Sequence, residues 1–205
     1  MTTAVKTDLT LKIIVLGSSE VGKTCILNRY FNNEFKDALS TIGIDFQTKF
    51  FKFEDKKIRV NYTDTAGQEK FRAISVNYLK GTNGVILVFD ITKKESFDLL
   101  ETWMNDLKEN NKIDASKILI GNKSDLADKR EVQKEEAEKL AETIKCKYYE
   151  GSAKTGENIN EALDEIAKLT YTIWKKANEN RNSIRISAAD SVGKPSVVQG
   201  KKGCC

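Results

Sequence analysis

Largely apolar runs recur along the chain and are separated by segments with helical spacing. The runs cover residues 11–16, 84–89 and 117–120, and a weaker one covers residues 147–149. Short runs of this kind are typical of strands that are buried on both faces of a parallel sheet. Because helix-like segments alternate with them, the pattern predicts an α/β domain with helices on both faces of a mostly parallel sheet.

Residues 57–63 instead alternate between apolar and polar side chains. The apolar residues share one face of an extended chain: Ile58, Val60 and Tyr62. This alternation predicts an edge strand or a half-exposed strand. Residues 46–53 precede it, and the polar pair at 54–55 joins the two segments as an antiparallel edge hairpin. The complete prediction is a six-stranded sheet.

Two segments place apolar residues three and four positions apart, which predicts amphipathic helices. The first stripe is Phe97, Leu100, Trp103, Met104 and Leu107, and the second is Ile159, Leu163, Ile166, Thr170, Ile173 and Trp174. Thr92 and Glu95 precede the first stripe with the spacing of a capping box. We expect both tryptophans to lie in the core.

The helical pattern stops after Trp174, and the remaining sequence is rich in Asn, Ser and Gly. We therefore expect a flexible N-terminus at residues 1–9, one folded domain at 10–176 and a disordered tail at 177–205. From Lys175 onward the chain carries a net charge of +5, whereas the preceding residues carry −1. Nucleic-acid binders usually carry positive charge on the folded domain, so we expect no nucleic-acid partner and a solvated or membrane-facing tail.

The composition removes several classes of function. The chain has no histidine, which excludes His-based triads and His-ligated metal sites. Its four cysteines have neither the pattern of a disulfide framework nor the spacing of zinc ligands. No run approaches the length of a membrane span and the N-terminus has no secretory signal pattern, so we expect a cytosolic protein. We also expect it to be a monomer.

Residues 17–24 have the sequence Gly-Ser-Ser-Glu-Val-Gly-Lys-Thr and lie between the first predicted strand and a helical segment. In a loop with this spacing, backbone N–H groups wrap a polyphosphate, the Lys23 ammonium reaches the terminal phosphates and the Thr24 hydroxyl ligates Mg²⁺. The helix adds its positive dipole end. A plain glycine turn between strand and helix is the alternative. The predicted phosphate-binding residues are Ser19, Glu20, Val21, Gly22, Lys23, Thr24 and Cys25.

A second phosphate-site motif, at residues 64–69, follows the alternating strand. The carboxyl ends of parallel strands gather at one edge of a sheet, so this motif is expected near the first loop. The Asp64 carboxylate can hold Mg²⁺, usually through water, and the N–H of Gly67 can contact a γ-phosphate.

Two further motifs favour a guanine base. The Asp125 carboxylate, which follows the run at 117–120, can accept hydrogen bonds from guanine N1–H and the N2 amino group, whereas adenine offers no such donor pair. Residues 152–154 follow the last predicted strand and can supply backbone N–H to guanine O6. A solvated turn is the alternative for each motif alone, but their order and placement together favour a nucleotide site. The predicted base-binding residues are Asn122, Lys123, Asp125, Ser152, Ala153 and Lys154.

With these motifs in place, the chain resembles the Ras superfamily of small GTPases, and the Rab family most closely, over about residues 10–174. Segments 41–46, 70–74, 78–81 and 87–92 are similar to Rab signatures. The chain also ends in Cys204 and Cys205, a pair that is commonly geranylgeranylated in Rab proteins. The resemblance implies a P-loop NTPase fold that binds GTP or GDP with Mg²⁺ as cofactor.

The resemblance also implies roles for individual residues. Ser40 and Thr41 are predicted to bind GTP. Thr41 would also ligate Mg²⁺ and sense the γ-phosphate, and Gln68 would orient the attacking water. No arginine is obviously placed to stabilise the transition state, and Arg72 is the remaining candidate. This implies slow intrinsic GTP hydrolysis that depends on a GTPase-activating protein.

The family further implies a membrane-anchored switch in vesicle trafficking. Its expected partners are an exchange factor, a GTPase-activating protein, effectors, a GDP-dissociation inhibitor and the prenylation machinery. We expect lipid anchoring at the cytoplasmic face of intracellular membranes together with a soluble cytosolic pool. A GTP-binding scaffold with little hydrolysis is the alternative, and a P-loop kinase is disfavoured because no arginine-rich lid is evident.

Two residues depart from the Rab pattern. Glu20 stands where small residues are typical, and a carboxylate close to phosphate leads us to expect faster nucleotide release than in relatives. Thr63 stands where most Rab proteins have a tryptophan that forms an effector-binding surface with Phe46 and Tyr78. We therefore expect its effector choice to differ from that of most Rab proteins.

Overall fold

The computed structural model describes residues 6–36, 44–65, 78–110 and 115–191, with side chains up to residue 179. The strands are β1 Leu9–Leu16, β2 Ile44–Phe53, β3 Lys56–Thr65, β4 Gly84–Asp90, β5 Ser116–Asn122 and β6 Lys147–Glu150. The helices are α1 Lys23–Asn32, α2 Lys94–Asp98, α3 Leu100–Asn110, α4 Lys134–Thr143 and α5 Ile159–Ser191, with a 3₁₀ helix at Ser124–Lys129.

The strands form one sheet in the order β2-β3-β1-β4-β5-β6. The central strand β1 pairs in parallel with β3 and with β4, and the parallel pairing continues through β5 to β6. Among the described strands, only β2 and β3 pair antiparallel. The predicted α/β fold, with a mostly parallel six-stranded sheet and one antiparallel hairpin, is confirmed. The parallel strands β1, β3, β4, β5 and β6 all end at the same edge of the sheet.

The position of β3 differs from one of the two predictions made for it. β3 lies between β2 and β1, so β2 is the edge strand and the prediction of an edge strand at 57–63 is wrong. The apolar face is as expected, because Ile58, Val60 and Tyr62 are fully buried. Alternation reports which face of a strand is covered by a helix, not whether the strand has neighbours on both sides.

Helices cover both faces of the sheet. On one face, α1 and α5 pack against a cluster that includes Ile13, Val60 and Tyr62. On the other face, α2, α3 and α4 pack against the alternate residues of β4 and β5. Trp103 is buried in this second cluster as predicted, whereas Trp174 is only partly buried at the edge of the first. The two clusters hold the ends of the strands in fixed positions.

The helical stripe that begins at Phe97 is divided into two helices. α2 and α3 are separated by the single residue Leu99. The capping box predicted from Thr92 and Glu95 does not form, because Lys93 takes the N-cap position without a side-chain hydrogen bond. The Thr92 hydroxyl instead donates to Asp90 Oδ1 at 2.7 Å. The carboxylate at the end of β4 thus draws the threonine away from the helix.

α5 continues to Ser191, past residue 176 where the apolar pattern places the end of the domain. The sequence contains no glycine or proline between Gly156 and Gly193, so nothing in it forces the helix to stop when the apolar stripe ends. Within the described ranges, no helix is both long enough and apolar enough to cross a membrane.

Candidate functional site

The loop between β1 and α1 is shaped by two glycines with positive φ. Gly17 has φ 149°, and a Cβ there would lie 2.2 Å from the carbonyl oxygen of Val88. Gly22 has φ 95°, and a Cβ there would lie 2.3 Å from Asn122 Nδ2. Any other residue would therefore push the loop away from the ends of β4 and β5. The side chain of Val21, in the same loop, is fully buried, which fixes the loop to the core.

Lys23 occupies the centre of this loop. Its side chain is almost fully buried, and its Nζ donates to the carbonyl oxygens of Gly17 at 2.9 Å and Ser18 at 2.8 Å. Burial lowers the pKa of the Lys23 ammonium to about 8. α1 starts at this residue with no side-chain cap and no acidic residue in its first turn. Its first N–H groups and the ammonium together form an anion-binding environment.

Thr24 and Asp64 meet beside Lys23. The Thr24 hydroxyl donates to Asp64 Oδ2 at 2.6 Å. The other carboxylate oxygen, Oδ1, is buried without a hydrogen-bond partner among the described residues. Burial raises the pKa of Asp64, and the Thr24 hydroxyl and the Lys23 charge oppose that shift. A hydroxyl next to a carboxylate with a spare oxygen is a donor set that suits Mg²⁺.

No group of three or more His, Cys, Asp or Glu side chains suited to a metal occurs in the part of the chain that the structure describes. Mg²⁺ bound at Thr24 and Asp64 would therefore take other ligands from water and phosphate oxygens, as this ion commonly does. The two residues fit a magnesium nucleotide better than a free metal ion.

Asn122 connects the phosphate loop with the loop after β6. Its Nδ2 donates to the carbonyl of Val21 at 2.8 Å, and its Oδ1 accepts the N–H of Ala153 at 3.0 Å. Ser152 connects the same loop to the 3₁₀ helix, because its hydroxyl donates to Asp125 Oδ1 at 2.5 Å. The N–H of Lys154 in turn donates to Ser152 Oγ. The structure therefore brings the predicted base-binding loops together.

Lys123 is paired with Asp90, a residue for which the sequence motifs predict no role in the site. It has φ 72°, and its Nζ lies 2.6 Å from Oδ2 of the fully buried Asp90. The other oxygen of Asp90 accepts the N–H and hydroxyl of Thr92. Asp90 belongs to segment 87–92, which resembles a Rab signature, but nothing in that pattern showed that it would pair with Lys123.

Glu20 has a partner that was not expected. It has φ 62°, and its Oε2 lies 3.0 Å from Nζ of Lys93, with both side chains largely exposed. The hydrogen bond and charge of Lys93 lower the pKa of Glu20. The carboxylate that was expected to repel phosphate is therefore partly neutralised. Of the other predicted loop residues, Ser19 and Cys25 are half-buried, and Cys25 packs against the core.

The predicted aromatic surface is present without Thr63. Phe46 is 54% exposed, and its ring centroid lies 5.8 Å from that of Tyr78. Thr63 is opposite Phe46 in the β2–β3 register but is fully buried, and its hydroxyl has no hydrogen-bond partner among the described residues. Thr63 is thus the cross-strand neighbour of Phe46 but contributes nothing to the exposed aromatic surface.

Several predicted site residues lie outside the described residues. They are Ser40, Thr41, Gly67, Gln68, Arg72, Cys204 and Cys205.

Comparison with known proteins is consistent with this geometry. A sequence model of the Ras family matches residues 12–172. Ras-related protein Rab-13 of Bos taurus is 43% identical over 162 residues, which are 78% of this chain and 80% of that protein. Ras-related protein Rab-8B of Homo sapiens is 40% identical over 177 residues, or 86% of each chain. Ras-related protein Rab-8 of Diplobatis ommata is 41% identical over 175 residues, 84% of this chain and 83% of that protein.

Proposed function

Because the chain belongs to the Rab family of small GTPases, within the Ras family, we propose that it cycles between GTP and GDP by hydrolysing GTP at the site described above. The observation that carries this proposal is the hydrogen bonding of Asn122 to both Val21 and Ala153, which joins the phosphate-binding loop to the base-binding loops. A nucleotide would span this junction, with its phosphates at Lys23 and its base at Asp125.

On the phosphate side, the Lys23 ammonium would exchange its bonds to the Gly17 and Ser18 carbonyls for phosphate oxygens. Thr24, Asp64 and Thr41 would hold Mg²⁺, which neutralises charge on the phosphate oxygens when it is bound. The N–H groups of the loop and of the first turn of α1 would bind the remaining oxygens. Thr41 and Gly67 would contact the γ-phosphate, so GTP would order their segments and hydrolysis would release them.

For the chemical step, Gln68 would orient the attacking water towards the γ-phosphate. The charge that develops on the phosphate needs a further cation, and a GTPase-activating protein would supply it, with Arg72 as the alternative. Intrinsic hydrolysis is then slow, and the lifetime of the GTP state is set by that partner.

Cys204 and Cys205 would carry prenyl groups, and the lysines near them would add attraction to anionic lipid. The protein would thereby act as a lipid-anchored switch in vesicle trafficking at the cytoplasmic face of intracellular membranes. An exchange factor, effectors, a GDP-dissociation inhibitor and the prenylation machinery would be its other partners, with a soluble cytosolic pool of the monomer.

Gln68→Leu is expected to slow single-turnover GTP hydrolysis by about tenfold or more, because leucine cannot orient water. The measurement is release of phosphate from preloaded GTP with Mg²⁺, with GDP affinity as the control for an intact binding site. Hydrolysis at the wild-type rate would contradict the role of Gln68. Tight GTP binding without turnover, also in the presence of a GTPase-activating protein, would favour a scaffold.

Lys93→Ala is expected to accelerate GDP dissociation by about threefold, because it leaves the Glu20 carboxylate unpaired near the phosphates. Glu20→Gly is expected to slow dissociation by about twofold and to cancel the effect of Lys93→Ala in the double variant. Stopped-flow displacement of a fluorescent GDP measures both rates. Lys94→Ala is the matched control, since Lys94 pairs with Glu136 and Asp98 instead. Additive effects in the double variant would count against coupling of the two side chains.

A further inference from the structure

Arg29, on α1, reaches from the phosphate-binding side of the site to the loop after β6. Its Nε donates to the carbonyl oxygen of Ala153 at 2.9 Å, and its Nη2 donates to that of Lys154 at 2.7 Å. Its Nη1 donates to the backbone and side-chain oxygens of Asn33 at the end of α1. The guanidinium therefore joins two consecutive loop carbonyls to a rigid helix.

The stem of Arg29 also packs against this loop. A Cβ on Gly156, which has φ 89°, would lie 3.5 Å from Arg29 Cδ. That distance is an ordinary van der Waals contact, so the arginine stem lies directly against the turn at Gly156, where the positive φ favours glycine. The fork geometry is specific to arginine, because its planar guanidinium carries donors fixed in direction, whereas lysine has a single ammonium on a flexible stem.

The loop also has contacts on the side of the base-binding motif. Asn122 accepts the N–H of Ala153, and Asp125 accepts the hydroxyl of Ser152. These contacts leave the carbonyl side of residues 153–154 to Arg29, which therefore fixes the tilt of the two peptide planes. The same two planes contain the N–H groups of Lys154 and Thr155, which both donate to Ser152 Oγ, because the C=O of one residue and the N–H of the next share one plane.

We propose that Arg29 is a positioning residue for guanine, which holds the loop at residues 152–154 so that the backbone N–H of Lys154 can bind guanine O6. The inference rests on the proposed function, since it requires a guanine nucleotide at this site. It adds a link between α1, whose first turn would bind the phosphates, and the loop that would bind the base. The contact between Arg29 and the two carbonyls is the physical connection.

Dissociation rates of three nucleotides distinguish this role of Arg29 from a general loss of protein stability in the variant. GDP offers O6, N1–H and the N2 amino group. Its 6-thio analogue replaces O6 with a weakly accepting sulfur, and inosine diphosphate lacks only the N2 group. Arg29→Ala is expected to accelerate dissociation of GDP and of inosine diphosphate by about tenfold, because both depend on O6. Dissociation of 6-thio-GDP is expected to change by less than about twofold, because its contact at that position is already weakened.

Arg29→Lys is expected to lie between wild type and Arg29→Ala, since one ammonium cannot serve both carbonyls with the same geometry. Arg59→Ala is the matched control, because Arg59 is an exposed arginine on β3 that lies over the Phe50 ring, away from the loop. Ratios of rates measured within one variant do not depend on the fraction of protein that is folded.

Equal acceleration for all three nucleotides, or no acceleration for any, would overturn the proposal. The failure of the proposed function would look different. In that case the wild-type protein itself would fail to retain GDP better than ADP, which would remove the premise for Arg29 as well.

Discussion

Asp125→Asn is expected to weaken GDP binding by about 1,000-fold and to strengthen binding of xanthosine diphosphate. Asp125 would accept two charge-assisted hydrogen bonds from guanine, each worth about 1.5–3 kcal/mol. In asparagine an NH₂ group replaces one of the two carboxylate oxygens, and its N–H donors would face the N2 amino group of guanine. Xanthine carries an oxygen at that position, which can accept a hydrogen bond from the asparagine amide.

Dissociation constants for GDP and xanthosine diphosphate, measured by competition against a fluorescent nucleotide, test this reversal. Asp128→Asn is the control, because Asp128 lies on the same 3₁₀ helix and is exposed. The Ser152 hydroxyl donates to Asp125, and it can still donate to the asparagine oxygen, so the loop should keep its shape. If both nucleotides bound about 1,000-fold more weakly, the substitution would have disrupted the loop, and base recognition by Asp125 would lose its support.

The sheet was predictable because burial on both faces leaves a direct mark on the sequence. The runs at 84–89 and 117–120 became β4 and β5 with boundaries within two residues. The sequence of β3 does not indicate its place in the strand order. Its alternating polar residues were compatible with an edge strand as well as with a half-exposed strand. Side-chain alternation records what covers a strand, whereas strand order is set by long-range pairing.

Helix limits were less predictable, for two different physical reasons. The apolar stripe at residues 97–107 runs without interruption across Leu99, so the pattern does not reveal that α2 and α3 are separate helices there. At the other end of the domain, the apolar stripe ends at Trp174 while α5 continues to Ser191. Periodicity detects the buried face of a helix, and a helix that leaves the core keeps its backbone hydrogen bonds without that signal.

The motifs predicted which loops would meet, but not the side chains that hold them. Arg29 and Ala153 are 124 positions apart, and Glu20 and Lys93 are 73 apart. Neither pair belongs to a motif with fixed spacing, so only the folded chain reveals them. Thr63 shows the same limit, since a residue at a position expected on an exposed surface is fully buried. Local spacing therefore specifies the groups that would touch the ligand, and packing specifies the groups that orient them.

Lys23→Ala is expected to weaken GDP binding by about 1,000-fold, which corresponds to about 4 kcal/mol. The Lys23 ammonium is almost fully buried, and there a unit charge about 3 Å from a phosphate oxygen is worth several kcal/mol even at an effective dielectric of about 20. Part of that energy is spent in replacing the bonds to the Gly17 and Ser18 carbonyls. Alanine would lose the phosphate contact and leave those two carbonyls without their donor.

The measurement is the GDP dissociation constant together with the nucleotide content of the purified protein, for Lys23→Ala and for Lys23→Arg. Lys80→Ala, which removes an exposed lysine, is the control for net charge. Arginine keeps the charge but presents a planar fork in place of the compact ammonium that bonds both carbonyls, so we expect it to recover only part of the affinity. Full recovery would mean that charge alone matters, and near-normal GDP affinity in Lys23→Ala would remove Lys23 from the phosphate site.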